Sequence, residues 1–156
     1  MAGQAGAMRY REPAMADRGK QLAKQLFPEL RLIADGNSWD YLGYDAWWGK
    51  LPIQIKLDSR IALSKKIYHE VYEKTANCPD QPWRLALGKV PYYIFITETP
   101  DEIVAIRIAI DILAEAERNK TLASINPNGG ANTSLGFLIP WEELKDKGEI
   151  KRKPRN

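Results

Sequence analysis

The sequence predicts an α/β fold: a central mixed β-sheet flanked by helices, in a single domain. Three stretches carry that prediction. An amphipathic helix opens at Pro13, a two-stranded hairpin spans Asp40–Asp58, and Tyr92–Ile96 is continuously apolar, as a central strand covered on both faces would be. At 156 residues the chain can bury roughly two-thirds of its unfolded surface, enough for one real core.

Residues 1–12 are rich in Gly and Ala and then charged, and are expected to be a flexible N-terminus. From Pro13 a helix runs to about Phe27, with Leu22, Ala23, Leu26 and Phe27 on one face and Pro28 as its stop. Leu30–Ala34 reads as a short strand before the polar turn at Asp35–Ser38. In the hairpin, Gly49-Lys50 makes the reversal. Side chains alternate along the second strand, so Ile53, Ile55 and Leu57 share the apolar face while Gln54, Lys56 and Asp58 share the other.

A second helix is expected over Arg60–Lys74, with Ile67, Tyr68, Val71 and Tyr72 inward. Pro79 and Pro82 place a loop between Thr75 and Val90, with Trp83 as its anchor. The segment after Tyr92–Ile96 is rich in β-branched residues, yet Thr99-Pro-Asp-Glu102 is a capping box, and Arg107, Asp111 and Glu115 recur at steps of four. That stripe predicts a helix from Pro100 to Asn119. Asn126–Thr133 is a loop without the Gly-Lys-Ser/Thr of a phosphate-cradling turn. Leu135–Ile139 reads as the last strand and Trp141–Lys145 as a short helix. The domain thus spans residues 13–146, and 147–156 is a basic C-terminal tail.

Composition excludes several classes. No apolar run approaches the ~20 residues of a membrane helix, so no membrane partner is expected. The N-terminus has neither a basic n-region nor an apolar h-region, which predicts a cytoplasmic protein. A single Cys78 excludes an internal disulfide and a cysteine-rich zinc site. His69, the one histidine, reads as a packed or surface residue. The net charge of +3 is uneven: from residue 145 onward six basic residues face two acidic ones, so Lys151, Arg152 and Lys153 are candidates for phosphate contacts.

Chemistry concentrates in the hairpin. Between Ala34 and Trp48 stand Asp35, Asp40 and Asp45 without a Lys or Arg, and such carboxylates repel unless solvated or bridged by a cation. Trp47 and Trp48 point to opposite sides, core or interface being the plainer fate for both.

Asp40-x-x-x-Gly43-x-Asp45 followed by Ile53-Gln-Ile-Lys56, inside the succession helix, strand, strand, strand, helix, strand, resembles the PD-(D/E)xK nuclease superfamily over about residues 13–97. The resemblance implies a restriction-endonuclease-like core (α-β-β-β-α-β) and a metal-dependent DNA endonuclease hydrolysing phosphodiester bonds. Matched residue by residue, Asp45 is the metal-binding Asp, Gln54 takes the second acid's place and Lys56 is the lysine. Mg²⁺ or Mn²⁺ would be held by Asp45, Gln54, the Ile55 carbonyl and Asp40, with a first-helix acid, Glu12 or Asp17, as a further donor. DNA is the implied partner, contacted through Lys65, Lys66 and the tail cations, with a homodimer open. Gln54 departs from the usual Glu or Asp and removes one negative charge. The alternatives are a non-catalytic nucleic-acid-binding protein of the same fold and a subunit of a protein assembly.

Overall fold

The computed structural model describes residues 17–34, 36, 38–41, 43–75, 84–85, 90–124 and 132–155, and of these the side chains of 40, 41, 73–75, 84–85, 132 and 133 are excepted. The chain is mixed α/β. Its first described element, α1 (residues 17–26), buries Leu22, Ala23, Leu26 and the adjoining Phe27. Then follow β1 (Arg31–Leu32), α2 (Ser38–Tyr41), β2 (Ala46–Trp48), β3 (Leu51–Leu57), α3 (Arg60–Ser64), β4 (Lys66–Thr75), β5 (Arg84–Leu85), β6 (Tyr92–Glu98), β7 (Glu102–Ala109), α4 (Ile110–Glu117), β8 (Ala123–Ser124), β9 (Asn132–Pro140), α5 (Trp141–Leu144) and β10 (Glu149–Pro154).

Six strands form a mixed sheet in the order β1-β2-β3-β6-β7-β10. Its β3–β6 pair is parallel and its other pairs are antiparallel. The β2–β3 reversal turns on Gly49, whose φ of 61° suits a residue without a Cβ. One face of this sheet, with Ala46, Ile53, Ile55, Ile94 and Ile96, packs under Leu22, Ala23, Leu26 and Phe27 of the α1 region. The other face presents Tyr93, Phe95, Ile106 and Ile108 to a second core with Ile67, Leu113, Ile139 and Leu144. Each such fully buried side chain contributes roughly 1.5–3 kcal/mol over leaving it exposed. The cover on this second face includes a four-stranded antiparallel sheet in the order β5-β4-β9-β8, where helices alone were expected.

Three expectations are corrected. The helix expected over Arg60–Lys74 stops at Ser64, because Lys65 adopts a left-handed conformation (φ 58°) and the chain continues as β4. Lys66 is therefore the first residue of a strand. The spacing 67, 68, 71, 72 fits a helix, but a bulge between Glu70 and Tyr72 lets a strand present the same residues. The helix expected over Pro100–Asn119 is a strand to Ala109 and a helix only from Ile110. Thr99 does accept the amides of Asp101 and Glu102, but it closes the β6–β7 turn, with the Thr99 amide bonded to the Glu102 carbonyl at 2.9 Å. Residues 149–154, expected as a tail, form β10, paired with β7 in the register Glu149↔Arg107 to Pro154↔Glu102.

Helix Trp141–Leu144 and the strand through Leu135–Ile139 match expectation. Residues 1–12 and most of Asn126–Thr133 lie outside the described residues, as do Trp83 and Glu12. Among the described residues no helix is long and apolar enough to cross a membrane.

Candidate active-site face of strand β3

The register of β3 against β6 settles which side chains share a face. Ile53, Ile55 and Leu57 align with Tyr92, Ile94 and Ile96 on the α1 side. Gln54 and Lys56 align with Tyr93 and Phe95, and both project, half-buried, toward the second sheet.

Asp45 lies where β2 leaves β3. Ala46 is the last paired residue opposite Ile53, yet the Asp45 amide also donates to the Ile53 carbonyl at 2.9 Å, so two residues oppose one and the ladder breaks. The Ile55 amide that the break exposes donates to the Asp45 Oδ2 at 2.7 Å. Lys20, 3% exposed on α1, approaches from the opposite side to Gln54 and Lys56. Its Nζ donates to the Ile33 carbonyl at 3.0 Å and stands 3.9 Å from Asp45 Oδ1. The structure thus brings Asp45 to the backbone between Gln54 and Lys56 and seals it against a buried ammonium.

Lys56 enters a cavity of about 250 Å³ with Asp58, Arg60, Tyr68, Glu70 and Ser134. Asp58 is held by Arg60, whose amide and Nε each donate to Oδ1 at 2.9 Å. Tyr68 and Ser134 share a hydroxyl hydrogen bond of 2.5 Å, and the Tyr68 ring lies over Gly136, where a Cβ would come within 2.7 Å of it. Burial pushes the Tyr68 phenol above its ordinary value, an effect the Ser134 bond opposes. Deeper on this face, Tyr93 is pushed up to about 12, first by burial and then by Glu117 and Glu70. His69 packs edge-on to Tyr93 with its Nδ1 2.5 Å from Glu117 Oε2, a packed histidine held by a carboxylate.

The other candidates are dispersed. Asp40 sits on α2 with its side chain outside the described residues, and Asp17 is exposed on α1. Lys151, Arg152 and Lys153 face Glu149, Glu102 and Gln25 within the chain. Trp48 stacks on Arg107 on the α1 side, with the guanidinium carbon 3.7 Å from the ring centroid. Trp47 instead joins Trp39 and Tyr44. Among the described residues no three His, Cys, Asp or Glu side chains form a metal-holding group. The oxygen donors Asp45, Gln54 and the Ile55 carbonyl suit a hard cation in kind. In charge they amount to one carboxylate already facing Lys20.

Sequence reasoning missed Lys20. The signal was present, since residues 20, 23 and 27 follow one helical stripe and a lysine on the apolar stripe needs a buried partner. No family model, no curated protein and no solved structure matches the chain.

Proposed function

We propose that the chain is a metal-dependent hydrolase of DNA phosphodiester bonds that works at the margin of β2 and β3. The observation that carries this reading is the Asp45 carboxylate fixed on the Ile55 amide, midway between Gln54 and Lys56. The succession α1, β1, β2, β3, α3, β6, with β3 parallel to β6, supports the restriction-endonuclease-like core that the resemblance implies, with α2, β4 and β5 as insertions.

Asp45, the Gln54 amide oxygen and the Ile55 carbonyl would hold the cation, which when bound supplies Lewis acidity toward a phosphate oxygen. The chain's own part is positional. Lys56 offers an ammonium without an ion pair among the described residues to the growing charge on the phosphate, and Asp58 keeps Arg60 at the rim of the same cavity. A second reading, nucleic-acid binding without cutting, is favoured by one observation: Lys20 already offsets the Asp45 charge that a cation would need.

The test is cleavage of supercoiled, linear and branched DNA with Mg²⁺ or Mn²⁺ by wild type, Asp45→Ala and Lys56→Ala. Nicking by wild type that drops at least 100-fold in both variants is expected. Equal behaviour of all three removes the site, and salt-sensitive binding without any cutting selects the second reading.

A further inference from the structure

We propose that a second cavity, at the carboxyl end of β6, seats one unstacked nucleotide of a single strand; the proposal rests on the nucleic-acid reading above and names the part of the substrate that this end of the sheet takes. The cavity, about 210 Å³, is bounded by Lys65, Thr97, Asp101, Glu102, Trp141 and Arg152. Carboxyl ends of parallel strands are where open α/β sheets bind ligands. The volume lies below the ~300–1,000 Å³ of sites for drug-sized molecules, on the scale of a base with part of its sugar.

Three features meet at this cavity. Lys65 is the one non-glycine residue with positive φ among the described residues. That conformation costs energy for a side chain with a Cβ and is more often filled by Gly or Asn. The Lys65 side chain is exposed and makes no hydrogen bond or ion pair among the described residues, while its carbonyl accepts the Trp141 backbone amide at 2.8 Å and so joins the two residues at the cavity. Thr97 is 6% exposed, and its hydroxyl has no hydrogen-bond partner among the described residues, a rare state for a buried polar group. Trp141 leaves its indole half-exposed along the cavity wall, although the rest of its helix turns Leu144 into the core.

The charges select the ligand class. Arg152 is held by Glu102 at 2.8 Å, and Asp101 adds a second carboxylate, so the rim carries two cations and two anions. A bare phosphate gains little from a neutral rim. A nucleotide satisfies it better, because its base presents donors to the carboxylates and a π-face to Trp141, and its phosphate meets Lys65. Base stacking on an aromatic residue tolerates any sequence. Helix α3 links the two cavities, giving Arg60 to the one that holds Lys56 and Ile61 to this one. A strand passing Lys56 can therefore lay a neighbouring nucleotide against Trp141.

The experiment measures anisotropy of a labelled oligothymidylate and of its duplex with the full chain, without added metal, for wild type, Thr97→Val, Lys65→Gly and Trp141→Ala. Wild type should bind the single strand more tightly than the duplex. Trp141→Ala should weaken single-strand binding about tenfold, and Thr97→Val about fivefold. Thr97→Val and Lys65→Gly should also raise the Tm, since each relieves an unpaired hydroxyl or a left-handed backbone. A raised Tm with unchanged binding in both variants overturns the proposal, as does a wild type that does not bind the single strand. Loss of binding in these variants by a protein that never cuts DNA sustains the cavity while the hydrolase reading falls; cutting with binding indifferent to all three variants does the reverse.

Discussion

Lys20 and Lys56 lie on opposite sides of the same strand, and the protein treats their charges differently. On the α1 side Lys20 is 3% exposed and faces Ile33 and Asp45. Arg107, 5% exposed on that same side, lies over the rings of Phe27 and Trp48 and pairs with Glu29 at 3.0 Å and Glu149 at 2.5 Å. On the other side, toward the carboxyl end of β3, the Lys56 and Lys65 ammonium groups have no ion pair among the described residues. A charge sealed from water costs several kcal/mol unless paired, so the α1 side must close its charges internally. A charge at the mouth of a groove stays solvated at little cost and remains available to a ligand. The comparison separates cations that hold the fold from cations that can serve chemistry.

The largest expected effect tests the shape of the open side. Gly136→Ala would put a Cβ 2.2 Å from the His69 carbonyl and 2.7 Å from the Tyr68 ring, and neither the backbone nor a ring bonded to Ser134 can give way easily. Urea unfolding should show a loss of about 3 kcal/mol or more; a variant as stable as wild type would mean that Tyr68 does not wall the Lys56 cavity over this glycine. The next effect contrasts the two sides directly. Asp45→Asn removes a carboxylate charge that faces the buried Lys20. Breaking a buried pair costs ~3–5 kcal/mol, and the 3.9 Å separation puts this one near the lower end, about 3 kcal/mol. Lys56→Met should stay within about 0.5 kcal/mol of wild type while DNA cleavage is lost. Equal destabilisation by both changes would erase the distinction between the sides.

Much of the closed side was legible because its signals are local. The alternation of Ile53, Ile55 and Leu57, the reversal at Gly49, the stripe of α1 and the apolar run of β6 each express one period or one turn. The open side depends on pairings that no local pattern announces. In β4, residues 67, 68, 71 and 72 satisfy a helical template because the bulge shifts the strand's own period. In β7, Thr99 makes the bonds of a helix cap while serving a hairpin turn. In β10, Ile150 is half-buried among exposed neighbours, so an edge strand reads as a charged tail. The candidate site divides likewise. Gln54 and Lys56 follow from alternation, but Lys20 beside Asp45, and Tyr68 and Glu70 beside Lys56, arise from contacts between elements far apart in sequence.

The smallest effect probes how tightly the closed side is closed. Arg107 holds the Glu149 carboxyl below its ordinary value of 4.5, against the opposing pull of burial. A carboxyl with a depressed folded pKa contributes stability that is present above the unfolded value and is lost as pH falls through the folded one. Stability should therefore decline below about pH 4.5, and Glu149→Gln should flatten part of that decline. Because the Glu149 side chain is 46% exposed, water and salt screen the pair, and its share should be no more than about 0.5 kcal/mol. Urea unfolding from pH 3 to 6 reads the difference, with Lys56→Met as the control from the open side. A Glu149 share well above 1 kcal/mol would mean that Arg107 relies on this one carboxylate. The closed side would then rest on a single pair where the structure shows two.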